Sequence, residues 1–97
     1  MTITLHDVGD TKRVTAAWTV SGTPTDPSGV SFTMLEPDGV ETAYSGVGAN
    51  IKKPSTGETY VDWPIAKPGR HEARWVGTGA VAAVAVVIFM AEGSAAA

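Results

Sequence analysis

Ser55–Gly79, STGETYVDWPIAKPGRHEARWVGTG, decides the fold. Within it, Glu58–Trp63 sets Thr59, Val61 and Trp63 against Tyr60 and Asp62, and Arg70–Val76 places His71, Ala73 and Trp75 on one face. Such period-two alternation marks a strand with one buried side, because successive side chains point to opposite faces of the pleat. Pro64 ends the first run or sits at an edge, since proline has no N–H to give a ladder. Lys67-Pro68-Gly69 and Gly77-Thr78-Gly79 are turn formers,. Strand, turn, strand, turn at this spacing predicts a small antiparallel β-sandwich.

Outward from that stretch the same grammar recurs. Thr11–Val20 places Val14, Ala16, Trp18 and Val20 on one face and Arg13, Thr15, Ala17 and Thr19 on the other, after a turn at Val8-Gly9-Asp10. Residues 1–7 read as an edge strand or arm, with Ile3 and Leu5 of Thr2–His6 pointing inward. Ser21–Gly29 is turn formers almost throughout and reads as a loop. Val30–Glu36 alternates again, and Glu36-Pro37-Asp38-Gly39 is a hairpin signal that leads into Val40–Tyr44,. Ser45–Asn50 is glycine-rich, Ile51–Lys53 a strand stub, and Pro54–Gly57 a further turn. Val81–Met90 forms the last strand, and residues 92–97 a flexible tail. The expectation is one domain of about seven strands with no helical period.

Composition narrows the function. The chain has 97 residues, no cysteine and a formal net charge of −3. Disulfides and thiolate metal sites are excluded, which leans toward folding in a reducing cytoplasm or stabilisation by assembly. The seven basic residues are scattered. Nucleic-acid binding needs a basic stripe to neutralise phosphates, so none is expected. The N-terminus lacks the charged and apolar regions of a signal peptide. The apolar run Ala80–Met90 is too short for a membrane helix of about 20 residues, and its valines suit a strand,. No membrane association is expected.

Gly9-Asp10-Thr11, Glu36-Pro37-Asp38-Gly39, Ser55-Thr56-Gly57, Asp62-Trp63-Pro64 and Arg74-Trp75-Val76-Gly77-Thr78-Gly79 occur in that order. The chain thereby resembles, from Val8 to Gly79, the small immunoglobulin-like structural proteins of tailed bacteriophages, particularly those of actinobacteria. The resemblance implies an all-β, immunoglobulin-like antiparallel sandwich in a virion-associated, non-enzymatic protein. A capsid decoration or head–tail connector component, made in the host cytoplasm, is the implied role. Two positions depart from the pattern. Thr59 stands where an aromatic is frequent, two residues after the Ser-Thr-Gly glycine, and the last strand is apolar on both faces.

No residue set points to catalysis, a cofactor or a metal. A nucleophile needs an oriented base beside it. His71 shares a strand face with Trp75 and reads as a partly buried, hydrogen-bonded histidine. His6, Asp7 and Asp10 match no strong ligand spacing, and the two aspartates read as turn residues. The glycines of Ser45–Gly48 and Gly77–Gly79 lack the strand–loop–helix setting of a phosphate cradle. An alternative function is a carbohydrate- or surface-binding module, with Asp62 and Trp63 as a carboxylate–aromatic pair. That reading needs a tryptophan in water, whereas Trp18, Trp63 and Trp75 each lie on the apolar face of a strand and are expected in the core.

The last strand carries the candidate interface. Val81, Ala83, Ala85, Val87 and Phe89 share one face, and Ala82, Val84, Val86, Ile88 and Met90 share the other. An antiparallel strand of a lone sandwich needs one apolar face. The second, with Val84, Val86, Ile88 and Met90, is expected to be covered by another virion subunit or by a second copy of the chain.

Overall fold

A computed structural model describes residues 5–79 and 81–92, with the backbone alone for residues 5–7. The expected Ile3 and most of the expected tail lie outside these residues. The described chain is all-β. Its ten strands are β1 (Leu5–Asp7), β2 (Thr11–Ala17), β3 (Thr19–Val20), β4 (Thr23–Pro24), β5 (Gly29–Leu35), β6 (Glu41–Ser45), β7 (Lys52–Ser55), β8 (Glu58–Pro64), β9 (Gly69–Thr78) and β10 (Ala83–Glu92). A five-stranded sheet in the order β1-β10-β9-β5-β6 packs on a three-stranded sheet, β2-β8-β7, with β3-β4 as a separate hairpin.

The count exceeds the expected seven for an identifiable reason. Thr11–Val20 does not run through as one strand, because the chain leaves the ladder at Trp18. There the Trp18 N–H donates to Gly57 C=O (2.6 Å), and Trp18 C=O accepts from Thr25 N–H (3.0 Å). The chain then folds back in a hairpin whose tip, Ser21 and Gly22, has φ of 50° and 80°. Two successive positive φ values match the twist of a two-residue hairpin. Part of the expected loop Ser21–Gly29 is therefore β3-β4, and Val20, expected on the buried face, is exposed. Val40 precedes β6 and is exposed, while Thr42 and Tyr44 are half-buried. The pairing is antiparallel except at the edge, where β1 runs parallel to β10 with Leu5 opposite Met90 and Asp7 opposite Glu92.

Alternation places the core as read. Val14 and Ala16 of β2, Val61 and Trp63 of β8, Phe32 and Met34 of β5, and Ala73 and Trp75 of β9 are buried between the sheets. Phe32 is the hub. Its ring lies 4.9 Å from Trp75, 6.4 Å from Trp63 and 6.1 Å from Tyr44. Trp18 meets Trp75 edge-on at 6.4 Å. Offset and edge-on pairs of this kind add to the burial term through the ring quadrupoles. Thr59 accepts the buried Trp18 indole N–H at 3.0 Å. The polar residue thus serves the one indole among the three tryptophans with a partner in the described chain.

Two aspartates fasten loops and a third ties β2 to β8. Asp26 accepts from Lys53 Nζ (2.8 Å) and Gly57 N–H (2.7 Å), Asp38 from Lys67 Nζ (2.6 Å) and Val40 N–H (3.2 Å), and Asp62 from Arg13 Nε (2.9 Å). Lys53, Lys67 and Arg13 respectively hold these carboxyls below their ordinary range. A carboxyl depressed in the folded state stabilises above its unfolded pKa and loses that contribution as pH falls through its folded value. The urea midpoint is therefore expected to drop below about pH 4, and less so in about 1 M salt, which screens exposed pairs. A midpoint constant down to about pH 2.5 would show that the three contacts do not survive in solution.

Candidate functional site

β10 runs antiparallel to β9, with Val84 opposite Val76, Val86 opposite Arg74, Ile88 opposite Glu72 and Met90 opposite Arg70. Val84, Val86 and Ile88 are 63%, 48% and 51% exposed, and Met90 is half-buried. Val20, Val40 and Val47 are also exposed but lie on three separate segments. The outer face of β10 is thus a continuous apolar strip, as expected from its sequence. Val76 widens it at one end. Along β9 it is bordered by Arg70, Glu72 and Arg74, with Arg70 Nη2 3.3 Å from Glu72 Oε1. The strip thus has an apolar centre and a charged rim.

The other face of β10 departs from expectation. Phe89 is buried and Val87 half-buried, but Ala83 and Ala85 are exposed, and Val81 is buried ahead of the strand rather than on it. Ala83 and Ala85 are thus exposed although Val81 before them and Phe89 after them belong to the core. Alternation shows which residues share a face but not whether anything packs on it.

The remaining expected positions fall as follows. Trp18, Trp63 and Trp75 are 3%, 6% and 0% exposed. Asp62 is exposed and makes a two-pronged bond to Arg13 (2.9 and 3.2 Å), whose guanidinium lies 3.9 Å from the Tyr60 ring centre. Asp62 and Trp63 therefore point to opposite sides and form no joint site. His71, expected to be partly buried, is fully buried and stacked on Phe89 with ring centres 4.8 Å apart. Its Nδ1 lies 3.3 Å from Gly69 C=O. The His6 and Asp7 side chains lie outside the described residues, and Asp10 is exposed. Among the described residues no three His, Cys, Asp or Glu side chains converge as metal ligands, and no helix is long and apolar enough to cross a membrane. A surface depression of about 320 Å³ beside Pro37 is lined by Leu35, Glu36, Gly39 and Arg70.

No protein-family model, curated protein or solved structure matches the chain.

Proposed function

We propose that this chain is a non-enzymatic structural protein of a tailed-phage virion, an immunoglobulin-like module that binds other virion subunits through the outer face of β10. The observation that carries this reading is the exposed strip Val84, Val86, Ile88 on a strand that is apolar from Ala83 to Ala91. A lone soluble domain gains nothing from such a strip and risks aggregation through it. The strand order supports the immunoglobulin-like part. With β2, β5, β6, β7, β8, β9 and β10 taken as B, C, C′, D, E, F and G, one sheet runs B-E-D and the other G-F-C-C′,. The virion context rests on the resemblance of the stretch from Val8 to Gly79 to phage immunoglobulin-like proteins. Capsid decoration and head–tail connection both fit. The carbohydrate-binding alternative is disfavoured, because it requires an exposed tryptophan and all three are buried.

Val86→Lys and Ile88→Lys test the reading. Each puts a charge on a surface position, so folding stability should change by about 0.5 kcal/mol or less. Incorporation into particles, measured by mass spectrometry of purified virions from cells expressing the variant, should fall at least about tenfold, as expected for a charge buried unpaired at an interface. Normal incorporation of both variants, or a stability loss of several kcal/mol, would place the interface elsewhere.

A further inference from the structure

The strip on β10 continues across its sheet as an outer face of four strands, and the register sets the rows of that face. Val86 of β10 stands beside Arg74 of β9, Thr33 of β5 and Ala43 of β6. The next row is Ile88, Glu72, Leu35 and Glu41. Met90 and Arg70 lie beyond it, and Val84 and Val76 lie on the other side. The β10 column is therefore apolar from Val84 to Met90, while the β9 column alternates in sign at Arg70, Glu72 and Arg74. Arg74 and Glu41 are exposed and make no ion pair among the described residues. Thr33, Leu35, Glu41, Glu72 and Arg74 line a depression of about 270 Å³ in this face. That is below the roughly 300–1,000 Å³ of a pocket for a small-molecule ligand, and suits a single side chain. Its two acidic residues flank Leu35 in one row. A guanidinium, with a charged edge and weakly hydrated faces, matches such a setting.

Charge and apolarity together select how a second copy could lie on this face. Sheets packed face to face keep their strands within about 30° of each other, so a two-fold axis between them runs along the strands or across them. An axis along β9 stacks Arg74 on Arg74 and Glu72 on Glu72. One between β9 and β10 sets Val86 on Arg74 and Ile88 on Glu72, apolar against charged. An axis along β10 covers the strip with itself but leaves Arg74 and the acidic depression uncovered. An axis across the strands at the level of Arg74, or of Glu72, again stacks a residue on its own like charge. Midway between Glu72 and Arg70 the signs do alternate, but Val86 then falls on Glu92. Midway between Arg74 and Glu72, at the level of Ala73 and Val87, both conditions are met.

We infer that the protein forms a face-to-face dimer with a second copy about that last axis, with Arg74 of each copy seated in the acidic depression of the other. This deepens, and rests on, the reading of the outer face of β10 as an interface. Arg74 then stands over Glu72 of the second copy, Val86 over Ile88 and Val84 over Met90. Each relation occurs twice, as a self-complementary two-fold contact requires. Apolar side chains cover apolar ones along β10, and opposite charges meet along β9. Arg70 already has Glu72 at 3.3 Å within the chain. Arg74 lacks such a partner among the described residues and gains two carboxylates, Glu72 and Glu41, from the second copy. Like charges brought face to face are strongly disfavoured, so the alternating signs fix the register of the dimer as well as permitting it.

The test uses the whole chain. Sedimentation equilibrium should show the mass rising to that of a dimer with concentration. Arg74→Glu and Glu72→Arg each set like charges against each other in a dimer of identical copies, and each should weaken it at least about tenfold. Mixed one to one, the two variants should dimerise again, because every reversed charge then meets its opposite on the other variant. Their circular dichroism should match that of the unaltered chain, since both positions lie on the outer face. A monomer at all concentrations overturns the dimer. A dimer that neither reversal weakens also overturns it, and assigns the contact to β10 alone or to another face. Two weakened variants that do not recover on mixing overturn the register. If either reversal does not fold, Arg74→Gln and Glu41→Gln still decide: each should weaken the dimer measurably, and no effect from either defeats the seating of Arg74. A monomer that nonetheless enters particles defeats the dimer and leaves the virion role standing; a dimer that never enters particles does the reverse.

Discussion

Trp75→Ala is expected to lower the thermal midpoint of the isolated protein by roughly 15–40 °C. Trp75 is 0% exposed, packs against Phe32 with ring centres 4.9 Å apart and meets Trp18 edge-on. Truncating a buried aromatic to alanine costs about 3–5 kcal/mol, the lost transfer energy plus the cavity left behind. Each kcal/mol moves the midpoint of a domain this size by about 4–8 °C. Total stability near this length is about 5–15 kcal/mol, so the variant should be partly or largely unfolded at body temperature. The Trp75 indole N–H has no hydrogen-bond partner among the described residues, so packing carries the effect. Trp75→Phe, which keeps an aromatic against Phe32, should lose distinctly less. Far-ultraviolet circular dichroism during heating measures both. An unchanged midpoint for Trp75→Ala would put that side chain at the surface and displace the whole core assignment.

Gly57→Ala should be nearly as damaging although it adds one methyl group. Gly57 has φ of 77°, where a side chain costs about 1–2 kcal/mol,. A Cβ there would also come within 2.6 Å of the Trp18 carbonyl oxygen and 2.9 Å of Pro24. These are backbone and ring atoms that cannot swing aside, and overpacking of this kind costs about 1–3 kcal/mol more. The same glycine takes the Trp18 N–H on its carbonyl and gives its own N–H to Asp26. Displacing it therefore loosens the end of β2, the β3-β4 hairpin and the Asp26 loop together. A loss of about 2–5 kcal/mol is expected in urea unfolding. Gly39→Ala is the control. Its φ of 90° is equally unfavourable, but nothing lies within 4 Å of the added Cβ, so only the conformational part should appear. Equal losses for the two variants would mean that the close approach at Gly57 does not form.

Both predictions show where the sequence was readable. Glu58–Trp63 and Arg70–Val76 announced their buried faces residue by residue, because alternation is a local consequence of the pleat. Glu36-Pro37-Asp38-Gly39 announced its turn, and Gly39 N–H does donate to Glu36 C=O at 2.9 Å. The outer face of β10 was equally plain, since ten apolar residues in a row leave one side with no core to enter. The break at Trp18 was not legible. Val20 continues the alternation of Val14, Ala16 and Trp18 without interruption, and what ends the strand is a contact from Gly57, far away in the chain.

Sequence alone therefore determined the all-β class, the inward faces of Glu58–Trp63 and Arg70–Val76, the tight turns and the excess of apolar surface on the last strand. Each depends on residues within a turn or a pleat of one another. The tertiary structure decided the order of the strands in each sheet, and which apolar positions of β10 enter the core and which stay exposed. A central strand and an edge strand can share the same alternation. They differ only in whether another strand lies alongside, and that is settled by the order in which distant segments pair.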